Sequence, residues 1–516
     1  MMLESWSRWM EEEHTKIMIN IFFATAAVFV GCKWLVKIAM RGKPPLPPGP
    51  RGLPLVGNLL FVEPDLHIYF SKLSKRFGPI FKIQMGTKIY IVINSAPLAR
   101  QILKEDDAIF ANHDPPLAAL AETYGGRNLV WRPYGPEWRN LRKVFVREMM
   151  SKTFFDASNG LRRREVREMV KEIYAKVGSP IKVGDQVFLT SLNVVMNMLW
   201  GASLDTDKKI SVGLEFRQVI DGIVDLLGTP NISDFFPILA PLDLQGIVSK
   251  ILKLRSWLDR IFESVIAIKQ TTKTNNEDKD FLQILLELME HEDEKMPFSM
   301  TDIKALLLDI IIGGTDTSST TVEWAMTELL RNPDIMKKVR KELERTVGNQ
   351  KIVEEFHINE LHYLQSVVKE TMRLHPVLPL LVPHSPSVST TIAGYAIPRG
   401  SNVFINIWLI MRDCKTWKNS LDFQPERFLE HPEIGDFRGN NFNYLPFGSG
   451  RRICPGINLG EKIIMYVLAT LLHSFDWKVE EDTNLDLSER YGIITKKKDP
   501  LVAIPSARLS TFEQYC

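Results

Sequence analysis

The sequence predicts a mainly α-helical protein with a small β portion, and three observations support this. Amphipathic helical patterns cover most of residues 155–270, and a longer helical run extends over residues 301–331. Alternation of apolar and polar residues is confined to short stretches, at 80–94 and within 394–407. Long helices with few and short strands therefore place the chain in the mainly α class.

The overall composition is that of an ordinary globular protein. Apolar residues make up 45% of the chain and charged residues 24%, which allows a large core. The formal net charge of +2 gives no reason to expect a nucleic-acid partner. The four cysteines are scattered, which argues against a disulfide framework and for a reducing compartment.

The amino terminus differs from the rest of the chain. Residues 17–31 are apolar apart from two polar positions, and the apolar run resumes after Lys33, close to the roughly 20 residues that span a bilayer. Acidic residues precede this run and basic residues follow it, so the positive-inside rule places the remaining chain in the cytosol. A cleaved signal peptide is the alternative, but its amino end should be basic. We therefore predict a retained single-pass anchor over residues 1–43.

A proline-rich segment follows this anchor. Residues 44–51 contain five prolines, which fix φ and remove donors, and they predict a stiff hinge. No repeats or further composition breaks follow, so residues 52–516 are predicted to form one domain.

Local sequence patterns in the first half of that domain predict a helix, a hairpin and two loops. Residues 66–76 predict a helix, 80–94 a hairpin that turns at Gly86-Thr87, and 110–129 a loop. Trp138 and Arg142 lie four residues apart, so on a helix they share a face. The polar segment 271–280 predicts a solvated loop.

The run over 301–331 predicts the longest helix. A Ser299-x-x-Asp302 capping pattern precedes it and Asn332-Pro333 closes it. The paired glycines Gly313-Gly314 cost about 2 kcal/mol relative to alanine in mid-helix, so local loosening is expected there. Asp316 and Thr317 follow directly, offering a carboxyl and a hydroxyl group beside the loosened segment. A kink with satisfied polar groups is the alternative interpretation.

After that helix come the short motifs Glu370-x-x-Arg373 and Pro425-Glu426-Arg427-Phe428. An acid and a base three residues apart share a helix face, and taken alone such a pair is usually a surface ion pair. The apolar residues 377–382 predict a strand, strands are expected over 394–407, and residues 491–494 predict a turn tip.

The segment 447–456, FGSGRRICPG, is the most distinctive stretch of the chain. Cys454 stands just before a helical pattern, where the peptide dipoles favour a thiolate, and the glycines let amide groups point at the sulfur. Zinc and iron–sulfur sites need several cysteines or histidines at short spacings, which the other cysteines do not supply. One thiolate with Arg452 nearby suits haem iron, with the guanidinium on a haem propionate. A buried structural cysteine is the alternative.

This segment fills the pattern F-x-x-G-x-R-x-C-x-G and resembles the haem-binding loop of the cytochrome P-450 superfamily. The stretch Gly313-Gly-Thr-Asp-Thr317 resembles the oxygen-activation motif of these haem-thiolate monooxygenases, and the E-x-x-R and PERF motifs follow in family order. The chain is most similar to plant A-type members. Stretches such as FANHDPP, NMLWG and PLLVPHSPS resemble plant sesquiterpene oxygenases, including cadinene hydroxylase.

The resemblance implies a cytochrome P-450 fold, with haem b between the long central helix and the cysteine loop. It implies that Cys454 is the axial metal ligand and that Asp316 and Thr317 deliver protons. His384 stands where many relatives carry an arginine, so its propionate contact is expected to be weaker and pH-dependent. The implied haem contacts are Trp138, Arg142, His384, Phe447, Arg452 and Cys454. The implied structural ion cluster is Glu370, Arg373 and Arg427. The expected substrate contacts are Ile312, Gly313, Val377, Leu378, Leu381, Ile493 and Ile494.

These features imply an NADPH-dependent monooxygenase that inserts one oxygen atom from O2 into a small apolar plant metabolite. The apolar lining favours a sesquiterpene, with a flavonoid or other phenolic as the alternative substrate. A haem-thiolate isomerase or dehydratase, and a haem-based sensor, are the alternative functions. The expected electron donor is NADPH–cytochrome P-450 reductase, with cytochrome b5 as a second candidate, on the endoplasmic reticulum membrane. Basic residues are expected to gather on the haem face nearest Cys454 as a reductase-docking surface, namely Lys143, Arg147, Arg451 and Lys462.

Overall fold

The computed structural model describes residues 44–201, 209–271, 279–290, 298–480 and 485–515. The anchor predicted over 1–43 lies outside these ranges, and none of the helices within them is long and apolar enough to span a bilayer. Residues Pro47–Thr390 and Ile397–Cys516 form one compact unit, which contains all site residues discussed below. Thr391–Ala396 and the described residues up to Leu46 group separately.

The architecture is mainly helical, as the sequence predicts. The longer helices within the described ranges are α1 (Leu66–Phe77), α2 (Pro136–Val144), α3 (Asn159–Tyr174), α4 (Val183–Trp200), α5 (Lys209–Gly228), α6 (Ile247–Thr271), α7 (Phe281–Glu290), α8 (Met300–Arg331), α9 (Pro333–Thr346), α10 (His362–Leu374) and α11 (Ile457–Ser474). Short helices connect them, among which Leu117–Glu122, Phe145–Met149 and Ile407–Ile410 matter below.

Within the described ranges the strands are short and form four small sheets. They are β1 (Ile80–Met85), β2 (Lys88–Ile93), β3 (Asn112–His113), β4 (Ile181–Lys182), β5 (His384–Ser385), β6 (Thr390–Ile392), β7 (Tyr395–Ile397), β8 (Asn402–Ile405), β9 (Phe475–Lys478), β10 (Glu489–Arg490), β11 (Lys496–Lys497) and β12 (Val502–Ala507). The largest sheet has the order β1-β2-β8-β5-β3, and β4-β12-β9 form a second. The pairs β10-β11 and β6-β7 stand alone.

Helix α8 is the central element of the helical core. Ser299 and Asp302 form the predicted capping box at its start. Most of its side chains are buried, and it packs mainly against α4 and α11. A side chain at Gly314 would place its Cβ 3.0 Å from Val195 Cγ2, so glycine permits the close approach of α4.

The expected loosening of α8 at its paired glycines is wrong. The helix is continuous from Met300 to Arg331. The hydroxyl of Thr315 donates to the carbonyl of Ile311 at 2.7 Å, and that of Thr317 donates to Gly313 at 2.6 Å. These bonds satisfy the polar side chains within the helix, so its buried surroundings keep it regular.

Two local predictions also need correction. The segment 110–129 is not wholly a loop, because Leu117–Glu122 is helical, as its alanines and leucines favour. Residues 377–382 form bends and turns instead of a strand. Pro379 and the flanking prolines cannot donate to a ladder, and Leu381 has a φ of 53°, so pairing begins only at His384.

Candidate functional site

The cysteine loop leads into the amino-terminal end of α11 and is closed by its own backbone. The N–H of Cys454 donates to the carbonyl of Phe447 at 3.0 Å. Gly450 has a φ of 70°, and a Cβ there would lie 2.0 Å from the carbonyl oxygen of Leu103. No other residue fits at this position without a shift of the backbone. The loop therefore holds the sulfur in one place relative to α11.

The environment of Cys454 does not by itself favour a thiolate, contrary to the expectation from the helix end. Burial raises the pKa of the thiol, and the Gly456 N–H and the Arg142 guanidinium only partly offset this effect. A coordinated metal ion deprotonates a thiol outright, whatever the protein contributes. Cys454 is therefore suited to be a metal ligand and poorly suited to be a free nucleophile.

Trp138 and Arg142 from α2 meet Arg452 from the cysteine loop. The Arg452 guanidinium lies 4.4 Å from the Trp138 ring centroid, and the Arg142 guanidinium lies 5.4 Å from it. The indole N–H of Trp138 donates to the carbonyl of Leu129 at 2.9 Å. Arg142 also donates to the carbonyl of Ile453 at 2.7 Å, which ties α2 to the cysteine loop.

Arg452 is held by main-chain carbonyl groups. It donates to the carbonyls of Ala111 at 2.6 Å, Leu129 at 2.9 Å and Arg132 at 2.6 Å. Burial and, to a smaller extent, the nearby Arg142 guanidinium lower the pKa of Arg452 to about 9. So low a pKa means that no nearby anionic group among the described residues stabilises the charged guanidinium of Arg452.

Two histidines, the buried His384 and the half-buried His113, complete this cluster. His384 on β5 and His113 on β3 are cross-strand partners, with ring centroids 5.2 Å apart. Their Nδ1 atoms lie 2.8 Å from the carbonyl oxygen of Phe110 and 2.7 Å from that of Val130, respectively. Burial lowers the pKa of His384 to about 4, and burial, His384 and Arg452 hold the pKa of His113 well below its usual range.

His113 was missed by the sequence analysis. It stands in the stretch FANHDPP, which we used only as a mark of resemblance, and only the β3–β5 pairing brings it beside His384. Its Nε2 atom is buried and has no hydrogen-bond partner among the described residues. A buried orphan nitrogen of this kind marks a place for a ligand atom.

The cluster of Arg142, Arg452, His113 and His384 fits an acidic ligand. The groups that shift the pKa values of these four residues include no carboxylate within the described chain. Arg142 and Arg452 are the charged members, half-buried and without a carboxylate partner among the described residues, and arginine binds carboxylates well. His113 and His384, whose pKa values are lowered, are neutral and would hydrogen-bond such a ligand. The propionates of a haem whose iron is bound to Cys454 would supply this missing charge, so the residues present fit haem.

The Asp316–Thr317 pair lies on α8, with its two side chains in different surroundings. Asp316 is buried, and its carboxylate forms an ion pair with Lys496 at 2.8 Å. Burial raises the pKa of Asp316 and Lys496 lowers it, with a net increase. Gly313 and Thr317 lie one turn apart on the same face, and no described atom lies within 4 Å of a Cβ placed at Gly313. This face of an otherwise buried helix borders open space.

The predicted ion cluster is assembled in the core. Arg373 lies 2.7 Å from the carboxylate of Glu370, and Arg427 lies 3.0 Å from it. Arg373 also donates to the carbonyls of Met411 at 2.8 Å and Ser420 at 2.7 Å. Glu370 and Arg373 are fully buried, so the cluster fixes α10 to the segment that precedes the cysteine loop.

The residues expected to contact substrate come from separate elements. Ile312, Val377, Leu378 and Ile493 are half-buried and pack against the same core, whereas Ile494 is buried within it. The Thr495 N–H donates to the Val377 carbonyl at 2.8 Å, which joins the turn at 491–495 to the 377–382 segment. Leu381 lies beside the cysteine loop, since its Cδ1 is 3.8 Å from a Cβ placed at Gly448.

Comparisons with known proteins cover nearly all of this chain. A family model described as Cytochrome P450 matches residues 47–504. Geraniol 8-hydroxylase of Catharanthus roseus is 38% identical over 89% of this chain and 94% of its own length. Flavonoid 3'-monooxygenase of Petunia hybrida is 37% identical over 90% of this chain and 93% of its own. The solved structure of a zebra fish cytochrome P450 with progesterone matches with a TM-score of 0.74 at 23% identity, covering 85% of this chain and 99% of that one. The last similarity concerns the fold alone.

Proposed function

Because the chain belongs to the cytochrome P450 family and is a haem-thiolate monooxygenase supplied with electrons by a reductase, we propose that Cys454 is its thiolate ligand and a sesquiterpene-like hydrocarbon its substrate. The observation that carries the ligand assignment is the pair of half-buried guanidinium groups of Arg142 and Arg452 beside Cys454, which have no carboxylate partner among the described residues.

The residues of this cluster would hold haem by both its iron and its acidic side chains. Cys454 would supply the sulfur that binds the iron, while Arg142, Arg452 and His384 would bind the propionates. We add His113 to the set, because its Nε2 atom is buried and without a partner. Trp138 positions both guanidinium groups, and Phe447 closes the loop through its carbonyl. When bound, haem supplies oxygen activation, to which a thiolate ligand contributes electron density that favours O–O cleavage.

Asp316 and Thr317 are proposed to supply the protons that oxygen activation consumes. Thr317 lies on the open face of α8, and its hydroxyl donates to the Gly313 carbonyl at 2.6 Å. That hydrogen bond leaves the oxygen lone pairs of Thr317 free to accept a proton or a water molecule. Asp316 is adjacent in sequence and its raised pKa brings it closer to neutrality, which suits a general acid.

The substrate class rests on the character of the residues proposed to line the site. Ile312, Val377, Leu378, Leu381 and Ile493 are apolar and only half-buried. Such a surface offers few polar handles, as a terpene hydrocarbon requires. A flavonoid is the second candidate, because a flavonoid 3'-monooxygenase is 37% identical to this chain.

The reductase is proposed to dock beside α2. Lys143 and Arg147 are exposed, and neither forms an ion pair with another described residue. Arg451 and Lys462, by contrast, pair with Asp107 and Glu355. The proposed docking surface is therefore reduced to Lys143 and Arg147, with cytochrome b5 as a second candidate partner.

We place the protein on the endoplasmic reticulum membrane, anchored by residues 1–43 with its catalytic domain in the cytosol.

The ligand assignment is tested by replacing one cysteine at a time. Cys454→Ser should abolish the thiolate-type absorbance of the reduced carbon monoxide complex, whereas the exposed Cys414→Ser should leave it unchanged. An unchanged spectrum in Cys454→Ser would remove the basis of the proposal.

The substrate is tested by incubating microsomes and reductase with a panel of sesquiterpenes and flavonoids. NADPH-dependent product from flavonoids alone would replace the sesquiterpene assignment.

The role of His113 is tested through haem retention. His113→Leu should accelerate transfer of haem to excess apomyoglobin, because it removes a nitrogen from the propionate site. The matched control is His431→Leu, whose ring is largely exposed, with 64% of the side chain accessible. Equal transfer rates in both variants would show that His113 does not hold haem.

A further inference from the structure

Lys496 links the buried Asp316 to a second carboxylate. Its ammonium group lies 2.8 Å from Asp316 Oδ2 and 2.8 Å from Asp221 Oδ1. Lys496 lies on β11, which begins directly after the turn at 491–495, whereas Asp221 lies on α5. The sequence analysis singled out Asp316 but gave it no partner, since three elements distant in sequence meet here.

The charges beyond Lys496 lead towards the protein surface. The exposed fraction of the side chain is 2% for Asp316, 13% for Lys496 and 33% for Asp221. Asp221 pairs with Arg217 at 3.3 Å, and Arg217 pairs with Asp185 at 3.1 Å. Arg217 is 19% exposed and Asp185 is 38% exposed, so the charges lead from the buried Asp316 to two carboxylates that water can reach, those of Asp221 and Asp185.

We infer that Lys496 is a positioning residue for Asp316, and that protons enter the site along the line from Asp221 through Lys496 to Asp316. This inference rests on the proposed role of Asp316 as the proton donor. Lys496 itself contacts neither substrate nor haem in the proposed function, and it acts only through Asp316.

The transfer balances with protons alone. Lys496 passes one ammonium proton to the Asp316 carboxylate, and it takes one from Asp221, which has been protonated by solvent. An N–H bond of Lys496 breaks as an O–H bond forms on Asp316, and the O–H bond of Asp221 breaks as a new N–H bond forms on Lys496. No electron is gained or lost, and the result is a neutral Asp316, an ionised Asp221 and a Lys496 that is again cationic. Asp316 then donates this proton towards Thr317, and the line is reset from solvent.

The groups that face Asp316 account for the role of Lys496. Burial raises the pKa of the Asp316 carboxyl, while Lys496 and the more distant Arg217 lower it and Asp221 raises it. Asp316 and Asp221 in turn raise the pKa of Lys496. Loss of the Lys496 charge would leave Asp316 protonated over a wider pH range and cut off from Asp221.

The test compares Lys496→Met with Lys496→Arg in the haem-loaded full-length protein. Lys497→Met is the matched control, because Lys497 is the next residue on β11 but lies over the Trp324 ring, 4.8 Å from its centroid. The first measurement is product formed per NADPH consumed. The second is the solvent isotope effect on product formation, and the third is infrared titration of the carboxyl band that Asp316→Asn removes.

Lys496→Met is expected to form at least about tenfold less product per NADPH, since positioned proton transfer typically contributes ~10²–10⁴-fold in rate. Its solvent isotope effect should rise, and its carboxyl band should titrate at higher pH. Lys496→Arg should recover most of the coupling, that is, the product formed per NADPH consumed, and Lys497→Met should behave as wild type. A Lys496→Met protein with wild-type coupling, isotope effect and carboxyl titration overturns the inference.

Asp221→Asn gives a second route to the same answer if Lys496→Met does not fold. It leaves the Lys496–Asp316 pair in place and breaks only the outer step, so coupling should fall while the substrate-binding spectrum is unchanged. If Asp221→Asn forms as much product per NADPH as wild type, the proposed proton path from Asp221 through Lys496 to Asp316 is contradicted. The Asp316→Asn variant separates the two proposals. If it keeps wild-type coupling, the proposed proton donor is wrong, whereas normal coupling in Lys496→Met alone refutes only the role of Lys496.

Discussion

Asp309 on α8 is predicted to make the stability of this protein depend on pH. Its carboxylate accepts hydrogen bonds from Asn128 Nδ2 at 2.5 Å and from the Leu129 N–H at 2.6 Å. Burial nevertheless raises the pKa of Asp309 from 3.8 to about 7, against the opposing effect of these hydrogen bonds. The folded protein thus holds this proton more tightly than the unfolded chain does.

The sign and size of the effect follow from that difference. The contribution of Asp309 to stability is fully present below pH 4. It is lost as pH rises towards 7, because the carboxyl group ionises freely in the unfolded chain but only at a cost in the folded protein. A shift of about three pKa units corresponds to about 4 kcal/mol over the whole range. Between pH 5 and pH 8 the expected loss is about 3 kcal/mol.

The perturbation is Asp309→Asn, which keeps the size of the side chain and removes its titration. The free energy of unfolding would be measured by urea titration and circular dichroism at both pH values. Relative to wild type, Asp309→Asn should gain about 3 kcal/mol of unfolding free energy on going from pH 5 to pH 8. Asp156→Asn, an exposed acid on the short helix Lys152–Ala157, is the control and should follow wild type. Parallel curves for Asp309→Asn and wild type would refute the reasoning.

Three further predictions follow from the contacts described above. Glu370→Gln should lower the free energy of unfolding by about 3–5 kcal/mol, because it leaves buried guanidinium groups without their counter-charge; a urea titration that gives less than 1 kcal/mol would contradict a buried cluster. Gly450→Ala should reduce haem incorporation, read as the haem-to-protein absorbance ratio, because its Cβ would lie 2.0 Å from the Leu103 carbonyl oxygen; full incorporation would show that the loop adjusts freely. Charge reversal at Lys143 and Arg147 should slow reduction by the reductase and spare peroxide-driven turnover, whereas equal loss in both assays would indicate a damaged helix.

The features predictable from sequence are those encoded within a few residues of one another. The capping box at Ser299 and the cysteine loop at 447–456 depend on fixed short spacings, and both appear in the structure. The family and the mainly helical fold are confirmed as well. The continuous helix at Gly313 was mispredicted because local propensity cannot register the packing of α4 on α8.

The features of the site that were missed depend on contacts between distant segments. His113 gains its place from pairing with β5, some 270 residues later, and Lys496 meets Asp316 only because β11 lies beside α8. The expectation that the helix end by itself favours a thiolate at Cys454 was wrong for the same reason. The helix end is visible in the sequence, but the burial that outweighs it is a property of the whole fold.

The position of Lys496, two residues after Ile494 on the same hairpin, bears on how an enzyme of this kind diversifies. The turn at 491–495 is proposed to contact the substrate, and the strand that continues it holds the partner of Asp316. A mutation that reshapes the turn for a new molecule would also displace the lysine. Acquiring a new substrate would then be accompanied by wasted NADPH and released peroxide, until a second mutation restored the alignment. Recently diverged relatives should therefore differ in efficiency as well as in specificity.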